Sequence, residues 1–83
     1  MQPLKSAIYA HGSEWYEISD EDIASDPSYF GYINIVGGWI IQKRTASTGA
    51  YRYAQGSKNY VANWTGRAAL TYDYYYSLSL TNP

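Results

Sequence analysis

The stretch Leu70–Leu80, LTYDYYYSLSL, alternates between large apolar and mostly polar side chains, and this alternation constrains the fold more than any other feature of the sequence. Successive side chains of a β-strand point to opposite faces of a sheet, so a period of two indicates a strand with one apolar face. We therefore expect a long C-terminal strand over residues 69–80.

The apolar face of this predicted strand requires a cover. Eleven residues at ~3.3 Å each span about 36 Å, whereas a globule of this length is only about 30 Å wide. Tyr75 also places an aromatic ring among the polar positions. Either the strand bends across a barrel or sandwich of its own chain, or its end lies on a neighbouring polypeptide. We favour the neighbour, with contacts through Tyr72, Tyr74, Tyr75, Tyr76, Leu78 and Leu80.

The composition is typical of one β-rich domain spanning residues 1–83. The chain has eleven Tyr, three Trp and no Cys, and aromatic residues favour strands. The N-terminal residues show no apolar leader, so we expect no signal peptide. No apolar run approaches the ~20 residues of a membrane helix, so we expect no membrane contact.

Turn signals predict a mainly β fold, as a small antiparallel sheet, a sandwich or a partly open barrel. Gly37-Gly38 indicates a hairpin over residues 29–44 with a type I′ turn, in which both glycines have positive φ. A second hairpin is expected over residues 39–54. We expect its loop to have two or five residues, because a four-residue loop would place Lys43 opposite Arg52.

Shorter elements are expected around these hairpins. Short strands are predicted near residues 7–10 and 14–19. One helical turn is expected near residues 20–24, because Ser19 can cap it and acidic residues crowd its first turn. Residues 59–65 have helical spacing, but Gly66 weakens the pattern, so a short helix or an irregular turn is expected.

Charge is divided unevenly along the chain. Residues 1–28 contain one Lys and six acidic residues, which gives a net charge of −5. Residues 29–83 contain five Lys and Arg residues and one Asp, which gives a net charge of +4. This asymmetry can join an acidic face to a basic face of a neighbouring copy. It can equally reflect packing within one chain, or solvated side chains.

Basic residues alternate with aromatic residues in the second half of the chain. Such surfaces bind single-stranded nucleic acid, since bases stack on rings while cations hold phosphates. Exposed rings also suit sugars, and we rank nucleic acid below a glycan as a ligand. Alternatively, the cations stack on rings of the same chain. The candidate ligand-binding residues are Trp39, Lys43, Arg44, Tyr51, Arg52, Tyr53, Lys58, Trp64 and Arg67.

Catalytic, cofactor-binding and metal-binding residues are not predicted. His11 is the only His and lies in a Gly-Ser turn, where no second element supports a general base. The acidic segment around Asp22 fails the calcium-loop pattern, because Ala24 stands at a ligand position. We therefore expect a non-enzymatic protein without cofactors.

Residues 29–72 carry a recognisable pattern: Trp-Ile-x-x-Lys-Arg from Trp39, Tyr-x-Tyr-Ala-x-Gly from Tyr51, and Trp-x-x-Arg-x-x-Leu-x-Tyr from Trp64. The pattern resembles small β-rich virion-associated proteins of tailed bacteriophages and prophages. This resemblance implies a multi-copy structural protein, such as a head-decoration, neck or tail accessory subunit. Its partners would be other virion proteins or copies of itself. It would be made in the host cytoplasm and located in the virion.

Overall fold

A computed structural model describes residues 7–9 and 15–78. In these residues, five antiparallel strands form one open sheet, and each strand pairs with the next along the chain. The prediction of a mainly β, antiparallel fold is confirmed. The strands are β1 (Ala7–Tyr9), β2 (Trp15–Asp22), β3 (Ser28–Ile33), β4 (Trp39–Thr45) and β5 (Ala50–Gly56).

The first predicted hairpin is confirmed as β3–β4, with Ile33 opposite Trp39. Its turn is not the predicted type I′ turn, since of the two glycines only Gly37 has positive φ, at 96°. The backbone N–H of Gly37 donates to the carbonyl of Asn34 at 3.2 Å, and the N–H of Asn34 donates to the carbonyl of Gly38 at 2.9 Å. A turn followed by one left-handed glycine closes this hairpin.

The second predicted hairpin is confirmed as β4–β5, but the expected loop length is wrong. The loop has four residues, 46–49, and Lys43 lies opposite Arg52. Each cation lies over a tyrosine ring: Lys43 Nζ is 5.0 Å from the centroid of Tyr72, and Arg52 Cζ is 4.0 Å from that of Tyr74. These cation–π contacts offset the like-charge repulsion between Lys43 and Arg52.

A short helix follows the sheet, as one of the two alternatives for residues 59–65 predicted. Helix α1 comprises Tyr60–Thr65, with Asn59 at the N-cap position but without a side-chain capping hydrogen bond. Two 3-10 segments come next, at Arg67–Ala69 and Tyr75–Ser77.

Both faces of the sheet carry apolar side chains. The face that α1 covers is called the helix face, and the other is the opposite face. The helix-face core consists of Tyr29, Trp39 and Ile41, packed against residues that include Tyr60, Trp64, Leu70 and Tyr72. The opposite-face core consists of Tyr16, Tyr32 and Ile40, packed against residues that include Leu78.

The helical turn predicted near residues 20–24 is wrong, because Asp20 and Asp22 belong to β2 and pair with β3. Distant partners hold both carboxylates. The Tyr60 hydroxyl donates to Asp20 at 2.8 Å, and Arg67 forms an ion pair with Asp22 at 2.7 Å. Strand pairing and these long-range contacts override the local capping pattern.

The long strand predicted over residues 69–80 is also wrong in its described part. Residues 69–78 contain the end of one 3-10 segment, the whole of the second, and one isolated bridge residue, Asp73. Leu70 and Tyr72 pack on the helix-face core and Leu78 on the opposite-face core, so this segment covers both faces of the sheet without forming a ladder. Residues 79 and 80 lie outside the described residues.

Candidate functional site

The C-terminal segment joins the sheet beside β5 at one point. The N–H of Tyr53 donates to the carbonyl of Asp73 at 2.7 Å, and the N–H of Asp73 donates to the carbonyl of Tyr53 at 2.9 Å. Side chains alternate around such a bridge. Tyr72 and Tyr74, on either side of Asp73, therefore both reach cations of the helix face.

A cluster of exposed rings follows this bridge. We call Tyr74, Tyr75 and Tyr76, together with Arg52, the tyrosine surface. The rings of Tyr74 and Tyr76 stack almost parallel, with centroids 5.3 Å apart and an interplanar angle of 4°. About half of Tyr74 and Tyr75 and 82% of Tyr76 are exposed to solvent. Arg52 covers part of Tyr74, while Tyr75 packs edge-on against Tyr53 at 5.0 Å.

The structure separates the predicted interface residues into two groups. Tyr74, Tyr75 and Tyr76 are exposed, as a partner contact requires. Tyr72 is half-buried, and its hydroxyl donates to the carbonyl of Arg67 at 2.8 Å. Leu78 packs against the opposite-face core. Leu80 lies outside the described residues, so its predicted role stays a prediction.

Arg67 is the most extensively bound of the candidate ligand-binding cations. Its guanidinium pairs with Asp22 and donates to the carbonyl of Trp64 at 2.7 Å. It also lies 4.4 Å from a Trp64 ring centroid and 5.6 Å from that of Tyr29. The hydrogen bond from Arg67 lowers the pKa of the Asp22 carboxyl. One contact between the acidic and basic parts of the chain is therefore internal.

The remaining cations of β4 and β5 are also directed toward neighbouring side chains. Lys43 and Arg52 lie over tyrosine rings of the C-terminal segment. Arg44 donates to the Ser28 hydroxyl at 3.4 Å, and within the part of the chain that the structure describes its buried Nε has no hydrogen-bond partner. Stacking of the cations on rings of the same chain thus accounts for much of the interleaved pattern.

The candidate aromatic residues differ in accessibility. Trp39 is buried in the helix-face core, and Trp64 is half-buried and stacked on Tyr60. Tyr53 accepts a hydrogen bond from Gln42 at 2.9 Å. Tyr51 remains about half exposed. Of these rings, Tyr51 alone has exposure comparable with that of the tyrosine surface.

An open groove of about 700 Å³ lies between the β3–β4 turn and the start of α1. The indole Nε1 of Trp39 donates to the carbonyl of Lys58, one of the lining residues, at 2.7 Å. Lys58, a candidate ligand-binding residue, lines the groove and is exposed. The groove is lined by Ile33, Asn34, Val36, Gly37, Ser57, Lys58, Asn59, Tyr60, Val61 and Ala62.

Sequence reasoning missed the contact between Tyr60 and Asp20. The carboxylate accepts the Tyr60 hydroxyl, and burial together with this hydrogen bond raises the pKa of Tyr60 well above its ordinary value. Gly31 leaves room for this ring, since a Cβ there would lie 2.9 Å from Tyr60 Cζ. The two residues are 40 positions apart, so no local pattern indicates their contact.

The described part of the chain offers no metal-binding cluster of three or more His, Cys, Asp or Glu side chains. Within the same residues, no helix has the length and apolarity needed to cross a membrane. His11 lies outside the described residues. Comparisons with protein-family models, curated proteins and solved structures found no match.

Proposed function

We propose that this chain is a non-enzymatic structural protein of a bacteriophage virion, assembled in several copies as a head-decoration, neck or tail accessory subunit. The tyrosine surface is the contact through which it binds copies of itself or other virion proteins. The observation that carries this proposal is the exposure of three consecutive tyrosines beside the edge strand β5. The phage assignment rests on the sequence resemblance.

The geometry of the tyrosine surface favours a protein contact. Tyr74 and Tyr76 already stack on each other, and Arg52 lies over Tyr74. Ordered rings lose little conformational entropy when a partner binds. Tyr and Arg are also enriched at the centres of protein interfaces. About half of Tyr74 and Tyr75 and most of Tyr76 remain free to be buried by a partner, so this cluster would form the centre of a standard interface of roughly 800 Å² per partner.

Light scattering coupled to size-exclusion chromatography tests self-assembly at micromolar concentration. We expect an oligomer for the unmodified chain and a smaller species for the Tyr74→Ser/Tyr76→Ser variant. Tyr51→Ser is the matched control, because it removes a similarly exposed ring outside the tyrosine surface. The unmodified chain should also be found by mass spectrometry in purified virions of the phage or prophage that encodes it.

Two results would contradict this proposal. If the unmodified chain is a monomer at every concentration and is missing from purified virions, it is not an assembly subunit. If Tyr51→Ser reduces the oligomer as much as the double variant does, the contact is not specific to the tyrosine surface. The position of the gene among head, neck or tail genes would identify the virion substructure.

A glycan-binding module is the second candidate function. The Tyr76 ring is 82% exposed in a parallel stack with Tyr74, which offers an aromatic face to a sugar ring, and Arg52 and Asp73 provide polar groups nearby. Nucleic acid is less favoured, because Lys43, Arg52 and Arg67 already stack on rings of this chain. Titration with host-surface glycans and with oligothymidylate, repeated for Tyr76→Ser, distinguishes the two ligands.

A further inference from the structure

The groove beside α1 exposes apolar side chains that the tyrosine surface does not involve. On its walls, Val61 is 76% exposed and Val36 is 60% exposed, and the neighbouring Ile35 at the tip of the turn is 98% exposed. Among the described residues that line it, Lys58 is the single charged one. Clustered exposed apolar side chains in a concave surface are typical of a docking site.

A buried amide in the groove wall also lacks a partner. Asn34 is 6% exposed, and its Oδ1 accepts the N–H groups of Val36 at 3.1 Å and Gly38 at 2.7 Å. These two bonds fix the amide orientation, so Nδ2 is the atom that has no hydrogen-bond partner among the described residues. A buried donor without a partner is costly, and Asn34 lies among the residues that line the groove.

A complementary segment lies at the other end of the sheet, in the loop between β2 and β3. Ile23 is 62% exposed in this loop. The nearby Glu21 is exposed, and the exposed Asp26 uses its carboxylate to accept backbone N–H groups of the β4–β5 loop. The cations at this end, such as Arg44 and Arg67, are partly buried. The loop therefore presents an apolar side chain with accessible negative charge, which suits an apolar groove with an exposed lysine.

We propose that the Ile23 loop of one copy docks in the α1 groove of a second copy of this chain. The two surfaces lie at opposite ends of β3, whose six residues span about 20 Å, so one copy cannot make this contact with itself. A head-to-tail contact of this kind generates rings or filaments. The inference rests on the proposed multi-copy function and adds a second contact to it.

The experiment uses ¹⁵N-labelled protein in the Tyr74→Ser/Tyr76→Ser background, which removes the tyrosine surface. Labelled Ile23→Asp protein, which keeps an intact groove, is titrated with unlabelled Val61→Asp protein, which keeps an intact loop. We expect concentration-dependent shifts at Val61, at Lys58 and at the Asn34 side-chain amide, with a dissociation constant in the high micromolar to millimolar range. Both substituted side chains are mostly exposed, so the fold should persist, and circular dichroism checks this.

The same labelled protein is also titrated with unlabelled Ile23→Asp protein, which lacks the loop side chain. Equal shifts with both titrants, or none with either, would overturn the proposed contact. As the charge-matched control, unlabelled Thr71→Asp protein takes the place of the Val61→Asp titrant. Thr71 is exposed and lies outside both the loop and the groove, so the shifts in the groove of the labelled protein should be unchanged. If Val61→Asp fails to fold, Lys58→Glu in its place still supplies an intact loop. Light scattering of the unmodified chain tests the proposed function separately.

Discussion

Gly56, at the end of β5, is a position where one added methyl group should destabilise the domain. A Cβ at this residue would lie 2.5 Å from Cε2 and 2.8 Å from Nε1 of Trp39. The indole is buried, and its Nε1 donates to the carbonyl of Lys58 at 2.7 Å. Gly56→Ala therefore forces Trp39 out of its packed position in the helix-face core.

The magnitude follows from three contributions to the free energy of unfolding. Overpacking a core costs about 1–3 kcal/mol, and loss of the indole hydrogen bond costs about 1 kcal/mol more. Replacing glycine restricts the unfolded chain and returns about 0.4–1 kcal/mol. These contributions sum to a net loss of about 1–3.5 kcal/mol, which lowers Tm by roughly 5–25 °C in a domain of this size.

Urea unfolding followed by tryptophan fluorescence and circular dichroism measures this loss. Gly66→Ala is the matched control, because its added Cβ meets nothing closer than the Ala62 carbonyl at 3.7 Å and its φ is −95°. Phenylalanine lacks the indole atoms that the new methyl group would meet, so Gly56→Ala should cost less in a Trp39→Phe background. Equal stability of the two alanine variants, or an unchanged cost in the Phe background, would refute the steric argument.

Two predictions concern pH. Hydrogen bonds from backbone N–H groups of the β4–β5 loop lower the pKa of Asp26 below its ordinary value of 3.8. The ionised carboxylate therefore stabilises the fold above pH 3.8, and this contribution is lost as pH falls through the folded-state pKa. Below about pH 4, the Tm of Asp26→Asn should therefore change less with pH than the Tm of the unmodified chain. An equal dependence of Tm on pH in the two proteins would contradict this prediction. Burial raises the pKa of Tyr60 and Tyr72. Their neutral side chains therefore stabilise the fold below about pH 10, and this contribution is lost as pH rises through the folded-state pKa. Ultraviolet titration should show a late-ionising class of tyrosines that has one member fewer in Tyr72→Phe. A spectrum without a late class would contradict this assignment.

Local sequence patterns were sufficient to predict most of the sheet. Alternating aromatic and β-branched residues around Gly37 predicted β3 and β4, because strand periodicity and turn glycines act over a few residues. For residues 59–65, the helical spacing of the side chains predicted a short helix, with an irregular turn as the alternative. The exposed Tyr74–Tyr76 lie in the segment for which a partner contact was predicted. That prediction used the fact that consecutive side chains point to opposite faces of a strand, so three consecutive rings cannot all be covered by one face.

Long-range pairing decided what local patterns could not. Residues 20–22 extend as a strand because Tyr60 and Arg67 bind their carboxylates, although the same acids locally favour a helix start. The register that places Lys43 opposite Arg52 is compatible with their charge because two tyrosines lie beside them in the folded chain.

The stretch Leu70–Leu80 shows the same division most clearly. Its composition determined only that burying these rings is favourable wherever a partner surface exists. Only the tertiary structure decided how: Tyr72 and Leu78 pack on opposite faces of the sheet, whereas Tyr74 and Tyr76 remain exposed. A period of two specifies alternation along the chain, but the neighbouring surfaces determine whether the backbone forms a ladder or packs each side chain separately.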